Sequence, residues 1–142
     1  MTAGYSGKPL IEKLGIKPGL TVAFVDTPEN YAALLGDLPM DVTVADLRRG
    51  HIDFIHFFAA SRQALEARFS DLKAALAPNG SLWVSWPKAT AKGSAKLPTD
   101  LSENAVREIG LANGLVDVKV AAIDATWSGL KFVYRLEDRP KL

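Results

Sequence analysis

Seven residues interrupt the apolar runs of this chain where strands should end: Asp26 and Thr27, Trp86 and Lys88, and Asp124, Trp127 and Ser128. Two carboxylates, two hydroxyls, an ammonium and two indoles converging on one crevice would suit a small ligand that can be anionic. Lys88 would neutralise its charge, a helix start at Thr27 would offer backbone donors, and Trp127 would cover an apolar or aromatic part. Each residue also has an ordinary structural use. Asp26 and Thr27 can cap a helix, worth about 1 kcal/mol. Full burial of Trp86 would contribute up to about 4–6 kcal/mol. Lys131, four residues beyond Trp127, can pair with Asp124 at the surface for about 0–1 kcal/mol.

Other chemistries find less support. With no cysteine in the chain, disulfides, iron–sulfur clusters and thiolate zinc sites are excluded. His51 and His56 would point to opposite faces of a regular strand, so they make a poor metal pair, and no metal site is expected. Ser85 stands in V-S-W, without the G-x-S-x-G turn that exposes a serine nucleophile. Ser61, His56 and Asp53 lie along one strand and its exit, which is no catalytic triad. No phosphate-binding glycine loop of either common type occurs, and no catalytic residue is expected. Lys88, Lys92 and Lys96 line the longest aperiodic segment, 87–100. That segment reads as a basic lid or as a solvated loop.

The elements that must position these groups follow from the apolar pattern. Leu10, Ile11 and Leu14 mark a short first helix ended by Gly15. Strands are expected at Leu20–Val25, Val42–Ala45, Ile52–Ala60, Leu82–Trp86, Leu115–Asp124 and about Leu130–Leu136. A helix should begin at Thr27-Pro28 and end at Gly36. Leu65, Phe69, Leu72 and Leu76 form one helical face behind Ser61, and another helix covers about Leu101–Asn113. Pro78 should stop the helix before it, and Asn79-Gly80 should turn the chain into a central strand whose exit is Trp86-Pro87-Lys88. Strands alternating with helices predict a mostly parallel sheet of about six strands covered on both faces, a Rossmann-like three-layer α/β sandwich. The last two strands, joined without a helix, should be an antiparallel hairpin. In such sheets ligands sit outside the carboxyl ends of the strands, which is where the seven residues fall.

At 142 residues the chain suits a single domain spanning 1–142, with 1–7 and 137–142 loose. A net charge of +1 with acids and bases interspersed argues against nucleic acid or an anionic membrane as partner. No apolar run reaches the roughly 18 residues of a membrane span, and the start lacks the apolar region of a signal peptide, so a cytoplasmic protein is expected.

Three stretches carry a resemblance. I-K-P-G-L-T-V-A-F-V-D, L-A-P-N-G-S-L-W-V-S and I-G-L-A-N-G-L-V-D-V-K-V resemble the entries into the first, fifth and sixth strands of class I S-adenosylmethionine-dependent methyltransferases. That resemblance implies a truncated version of their fold, S-adenosylmethionine as cofactor, and Asp46 as the acid at the end of the second strand that holds ribose hydroxyls. The chain departs from the family after Val25. The family has a glycine-rich turn there, whereas D-T-P-E-N-Y has no residue that takes positive φ without cost. W-V-S-W-P-K at Trp83–Lys88 and D-A-T-W-S-G-L-K-F at Asp124–Phe132 also resemble an uncharacterised bacterial family of domain-of-unknown-function proteins. The resulting expectation is non-catalytic binding of a small ligand at the carboxyl-end crevice, with no cofactor. The alternatives are an atypical methyltransferase, or a structural module that forms a homodimer through an edge strand such as Val42–Ala45.

Overall fold

The computed structural model describes residues 8–140. Its elements run α1 (Leu10–Leu14), β1 (Thr21–Val25), α2 (Tyr31–Leu35), β2 (Thr43–Val44), β3 (Ile52–Phe58), α3 (Arg62–Ala75), β4 (Leu76–Pro87), α4 (Glu103–Ala112), β5 (Leu115–Ala122) and β6 (Trp127–Tyr134). Short 3₁₀ turns stand at Leu47–Arg49, Gly93–Ala95 and Leu136–Asp138. The six strands form one sheet in the order β2-β1-β3-β4-β6-β5. β2, β1, β3 and β4 are parallel, and β6 runs antiparallel to both its neighbours. This is the expected mostly parallel α/β sheet closed by an antiparallel hairpin. The order reverses at β1, so its carboxyl end and that of β3 bound the crevice where such sheets bind ligands. The expected loose segment 1–7 lies outside the described residues. Among the described residues, no helix is long and apolar enough to cross a membrane.

Alternation along the strands builds two cores, one on each side of the sheet. Ile55, Phe57, Leu82, Val84, Trp86, Leu130 and Phe132 face Leu65, Phe69 and Leu72 of α3 and Val106 and Ile109 of α4. Val22, Phe54, Phe58, Trp83 and Trp127 face Leu14 of α1 and Tyr31 and Leu35 of α2. Trp83 is wholly buried, and its indole N–H donates to Leu14 O at 3.0 Å, which holds α1 against the sheet.

Three local expectations change. Thr27 caps nothing. Pro28 O instead accepts from the Tyr31 N–H, and α2 starts only at Tyr31 behind Asn30. The chain does not turn at Pro78-Asn79-Gly80. Leu76 already pairs with Ile52 and Ser81 with Phe54, so the intervening residues form an irregularity inside one long strand. Gly80 makes this fit, because a Cβ there would lie 2.9 Å from the carbonyl oxygens of both Ile52 and Asp53. Trp127-Ser128, expected between the last two strands, are instead the first residues of β6.

Candidate functional site

The carboxyl rim is built from three exits. β1 gives Asp26 and Thr27, β4 gives Lys88, and the β5–β6 connection leads into Trp127 and Ser128. In the β4–β6 ladder Trp86 stands opposite Ser128 and Pro87 opposite Trp127. The Lys88 N–H donates to Thr126 O at 2.8 Å. The structure therefore gathers Trp86, Lys88, Asp124, Trp127 and Ser128 in one corner. Asp26 and Thr27 lie two strands away, on the order of 10 Å at the usual strand spacing.

Within the corner Asp124 and both indoles are occupied by the fold. Asp124 Oδ1 accepts from the N–H groups of Thr126 and Trp127 at 2.8 and 2.9 Å, an Asx turn that starts β6. Trp86 belongs to the core beneath α3 and α4, and Trp127 to the opposite core, so the two indoles cannot grip one ligand. Lys131 sits across the β5–β6 ladder from Lys119 rather than beside Asp124. Burial, and then Lys119 and Lys17, lower its pKa. The segment after Lys88 is tied down. Lys96 Nζ donates to Ala89 O at 2.9 Å, Ala91 is buried, and Asp100 accepts from the first N–H of α3, that of Arg62, at 2.7 Å.

A buried polar chain lies beside this corner. Tyr31 Oη and His56 Nδ1 are 2.7 Å apart, and His56 Nε2 and Ser85 Oγ are 2.8 Å apart. A neutral imidazole satisfies both, donating through one nitrogen and accepting through the other. His56 and Ser85 are fully buried. Burial holds the His56 pKa down at about 3 and raises that of Tyr31. Phe58 stacks on the imidazole at 4.3 Å, and Trp127 meets Phe58 edge-on at 5.0 Å. The rings thus seal the rim from α2 to β6.

The opposite corner, where β1 and β2 end, is open. A hollow of about 410 Å³ lies there, lined by Phe24, Val25, Asp26, Asp46, Arg48 and Arg68 among others. Asp26 leaves β1 with φ +54. The left-handed turn that glycine would ordinarily make is therefore present, because aspartate tolerates that region better than most residues. Arg68 of α3 approaches Asp26 Oδ2 at 3.5 Å, with both side chains well exposed. Such an ion pair contributes about 0–1 kcal/mol. Asp46 accepts from the backbone N–H of Arg48 at 2.9 Å and pairs with its guanidinium at 3.1 Å, and these contacts lower the Asp46 pKa. On the other side of β1, Thr27, Phe24, Tyr31 and Leu35 line a more apolar hollow of about 420 Å³. Among the described residues, no three histidine, aspartate or glutamate side chains are grouped to hold a metal.

Sequence reasoning missed Arg68 and the His56 chain. Arg68 directly precedes the inward-facing Phe69 and so borders the buried stripe of α3, which is a visible signal. Its partner, Asp26, is 42 positions earlier and is set by topology alone. Tyr31 and Ser85 are 25 and 29 residues from His56, beyond any local pattern.

No protein-family model and no curated protein matches the chain. Solved structures do match. A SAM-dependent methyltransferase from Aquifex aeolicus aligns with TM-score 0.63 and 16% identity over 87% of this chain and 86% of that one. Magnesium protoporphyrin IX methyltransferase from Synechocystis PCC 6803 with bound SAH gives 0.53 and 14%, over 89% and 78%. A TehB-like SAM-dependent methyltransferase from Corynebacterium glutamicum gives 0.54 and 12%, over 89% and 85%. At these identities the likeness establishes the fold, which is that of the class I methyltransferases. It also corrects the expectation of a non-catalytic binder without cofactor. These neighbours are S-adenosylmethionine-dependent enzymes, so the alternative becomes the better-supported reading. The positive φ of Asp26 shows that the backbone takes a left-handed conformation at this point without glycine.

Proposed function

We propose that this chain is an S-adenosylmethionine-dependent methyltransferase whose cofactor lies in the open corner at the ends of β1, β2 and β3. One observation carries this reading: β1 ends in a left-handed turn at Asp26, beside a hollow with Asp46 at the end of the neighbouring strand. The residues suit the cofactor. About 410 Å³ falls within the roughly 300–1,000 Å³ of small-molecule sites. Asp46, exposed and acceptor-only, suits the paired hydroxyls of a ribose. Val25, Ala45 and Leu47 supply apolar contact for an adenine. When bound, S-adenosylmethionine supplies an electrophilic methyl group on a sulfonium.

The chain's own residues position and shield. The Tyr31–His56–Ser85 chain and the rings of Phe58 and Trp127 hold the β1 exit and α2 against β3 and β4, and they exclude water from that side. His56 is no general base at neutral pH, because a pKa of about 3 is far from the value that proton removal requires. His56 therefore serves to hold α2 and β4 together rather than to take a proton from the methyl acceptor. The W-V-S-W-P-K and D-x-T-W-S-G-L-K-F strings would extend the reading to the bacterial family they resemble. Isothermal calorimetry with S-adenosylhomocysteine tests it. Micromolar, one-to-one binding is expected, and no heat at a hundred micromolar ligand would refute the assignment.

A further inference from the structure

We infer that Lys17, Lys119 and Lys131 form a binding site for a compact, multiply charged phosphate group, at the opposite edge of the sheet from the open hollow. Lys119 and Lys131 stand directly opposite each other in the β5–β6 ladder. Such a pair shares one face of the sheet, with Cβ atoms about 4.5–5.5 Å apart, and like charges placed there are destabilising. On its other side Lys131 stands opposite Trp83 of β4. The Trp83 indole is bonded to Leu14 O, which brings the end of α1, and Lys17 after it, against the same face. Lys119 also reaches α1, because its Nζ donates to Lys13 O at 3.2 Å. Burial, and then the charges of Lys119 and Lys17, lower the Lys131 pKa. Three ammonium groups from three parts of the chain therefore meet in a protein whose net charge is only +1.

The carboxylate that should balance them is turned away. Asp117 is two residues before Lys119 and in a regular strand would share its face. The β5–β6 register instead shifts between Asp117 and Lys119, and the extra residue, Val118, is exposed. A bulge of this kind re-aims the side chains on either side of it. Asp117 consequently stands opposite Phe132, on the α4 side, where Arg107 Nε donates to it at 2.9 Å. Lys119 stands opposite Lys131, on the α1 side. Among the described residues, no carboxylate pairs with Lys17, Lys119 or Lys131. The bond to Lys13 O uses one of the three donors of Lys119 and accounts for one lysine, not for three. A bound anion supplies the charge that the bulge removes. Compactness selects its chemistry. The cationic groups form one cluster, and acids and bases are interspersed along the rest of the chain, so no basic track continues from it for a nucleic-acid backbone to follow. A diphosphate offers several acceptor oxygens and enough charge for three ammonium groups, which bind phosphate as point charges.

Isothermal calorimetry of the full chain with inorganic pyrophosphate tests the site, at about 20 mM sodium chloride, where screening is weak. One-to-one binding with a submillimolar Kd is expected, weakening about tenfold or more at about 300 mM salt. Lys131→Gln and Lys119→Gln should each weaken it about fivefold or more. Lys92→Gln, on the β4–α4 connection, should change it by less than about twofold. In urea unfolding at low salt the Lys131→Gln midpoint should equal or exceed that of wild type, because the substitution removes one of three like charges. A lysine that served only to hold the fold would instead lower it. If pyrophosphate gives no saturable heat, or if Lys92→Gln weakens it as much as Lys131→Gln does, the assignment is wrong. If a short oligothymidylate binds more tightly than pyrophosphate and loses affinity in the same variants, the cluster belongs to a nucleic-acid surface and the compact-anion assignment falls. None of these outcomes depends on the methyltransferase reading, whose hollow lies at the other edge of the sheet.

Discussion

The carboxyl rim of this sheet has two unlike halves. From β3 to β6 it is closed by rings: Phe58 on His56, Trp127 on Phe58, and Tyr31 bonded to His56 beneath. At β1 and β2 it is open and carries two acid–base pairs that spend little on holding the fold. Residues of the same types, at the same kind of position, therefore do different work. Asp124 and Asp26 both follow a strand. Asp124 has its carboxylate filled by two backbone donors, whereas Asp26 meets only a loose guanidinium. A polar residue at a strand end is the better site candidate when its charge stays exposed and its contacts are with other exposed side chains or one local turn, as at Asp26 and Asp46.

The largest test of this contrast is Trp127→Ala. Trp127 is 9% exposed and belongs to the core beneath α1 and α2. Its removal should cost about 3–5 kcal/mol in urea unfolding, as large aromatic deletions from cores do. S-adenosylhomocysteine affinity should stay near wild type at temperatures where the variant is folded. A loss below about 1 kcal/mol would mean that the closed half is not core and that the indole is available to a ligand.

A smaller, pH-dependent effect comes from His56. Burial holds its folded pKa at about 3, below the ordinary 6.5. As the pH falls, the unfolded chain takes up the proton first, which favours unfolding. The histidine's stability contribution is whole above pH 6.5 and is lost progressively from there toward pH 3. The part lost by pH 5 is about 2 kcal/mol. Urea midpoints at pH 7.5, 6 and 5 should show this slope in wild type, and His56→Gln should remove it. Equal slopes in the two proteins would place the effect elsewhere.

Much of the fold was legible. Four apolar runs bounded by Pro, Gly or polar residues named β1, β3, β4 and β5, and the joining of the last two strands without a helix gave the antiparallel hairpin. Strand alternation already separates Trp83 and Ser85 from Leu82, Val84 and Trp86 onto opposite faces. With Pro87 opposite Trp127 in the β4–β6 ladder, the same period puts Trp86 and Trp127 on opposite faces, but that pairing was not readable while Trp127 was taken as a turn residue. What stayed hidden depends on long-range contacts. Thr27-Pro28 has the residues of a helix start, yet α2 begins at Tyr31. That ring contacts Phe24, His56 and Phe58, and tertiary packing outweighs a cap worth about 1 kcal/mol. The turn after β1 was judged by the absence of glycine, although aspartate can adopt the same backbone. The open hollow was invisible because it arises where the β2–β3 connection, Ala45 to His51, carries only a 3₁₀ turn and leaves β1 and β2 uncovered beside α3.

The smallest expected change in stability is also the sharpest test of the open half. Asp46 is well exposed and its contacts are local. Asparagine in its place keeps a side-chain oxygen for the Arg48 N–H, so the turn is preserved and the unfolding midpoint should not move measurably. The second oxygen becomes an NH₂ group, which donates where a ribose diol needs an acceptor. Asp46→Asn should therefore weaken S-adenosylhomocysteine about tenfold or more, the scale seen when a site loses a hydrogen bond made by a charged group. Lys88→Ala, in the closed half, should leave that affinity within about twofold, because Lys88 meets the β5–β6 turn through its backbone N–H. If instead the lysine variant loses binding while Asp46→Asn keeps it, the ligand lies over β4 and the division of the rim drawn from the structure is inverted.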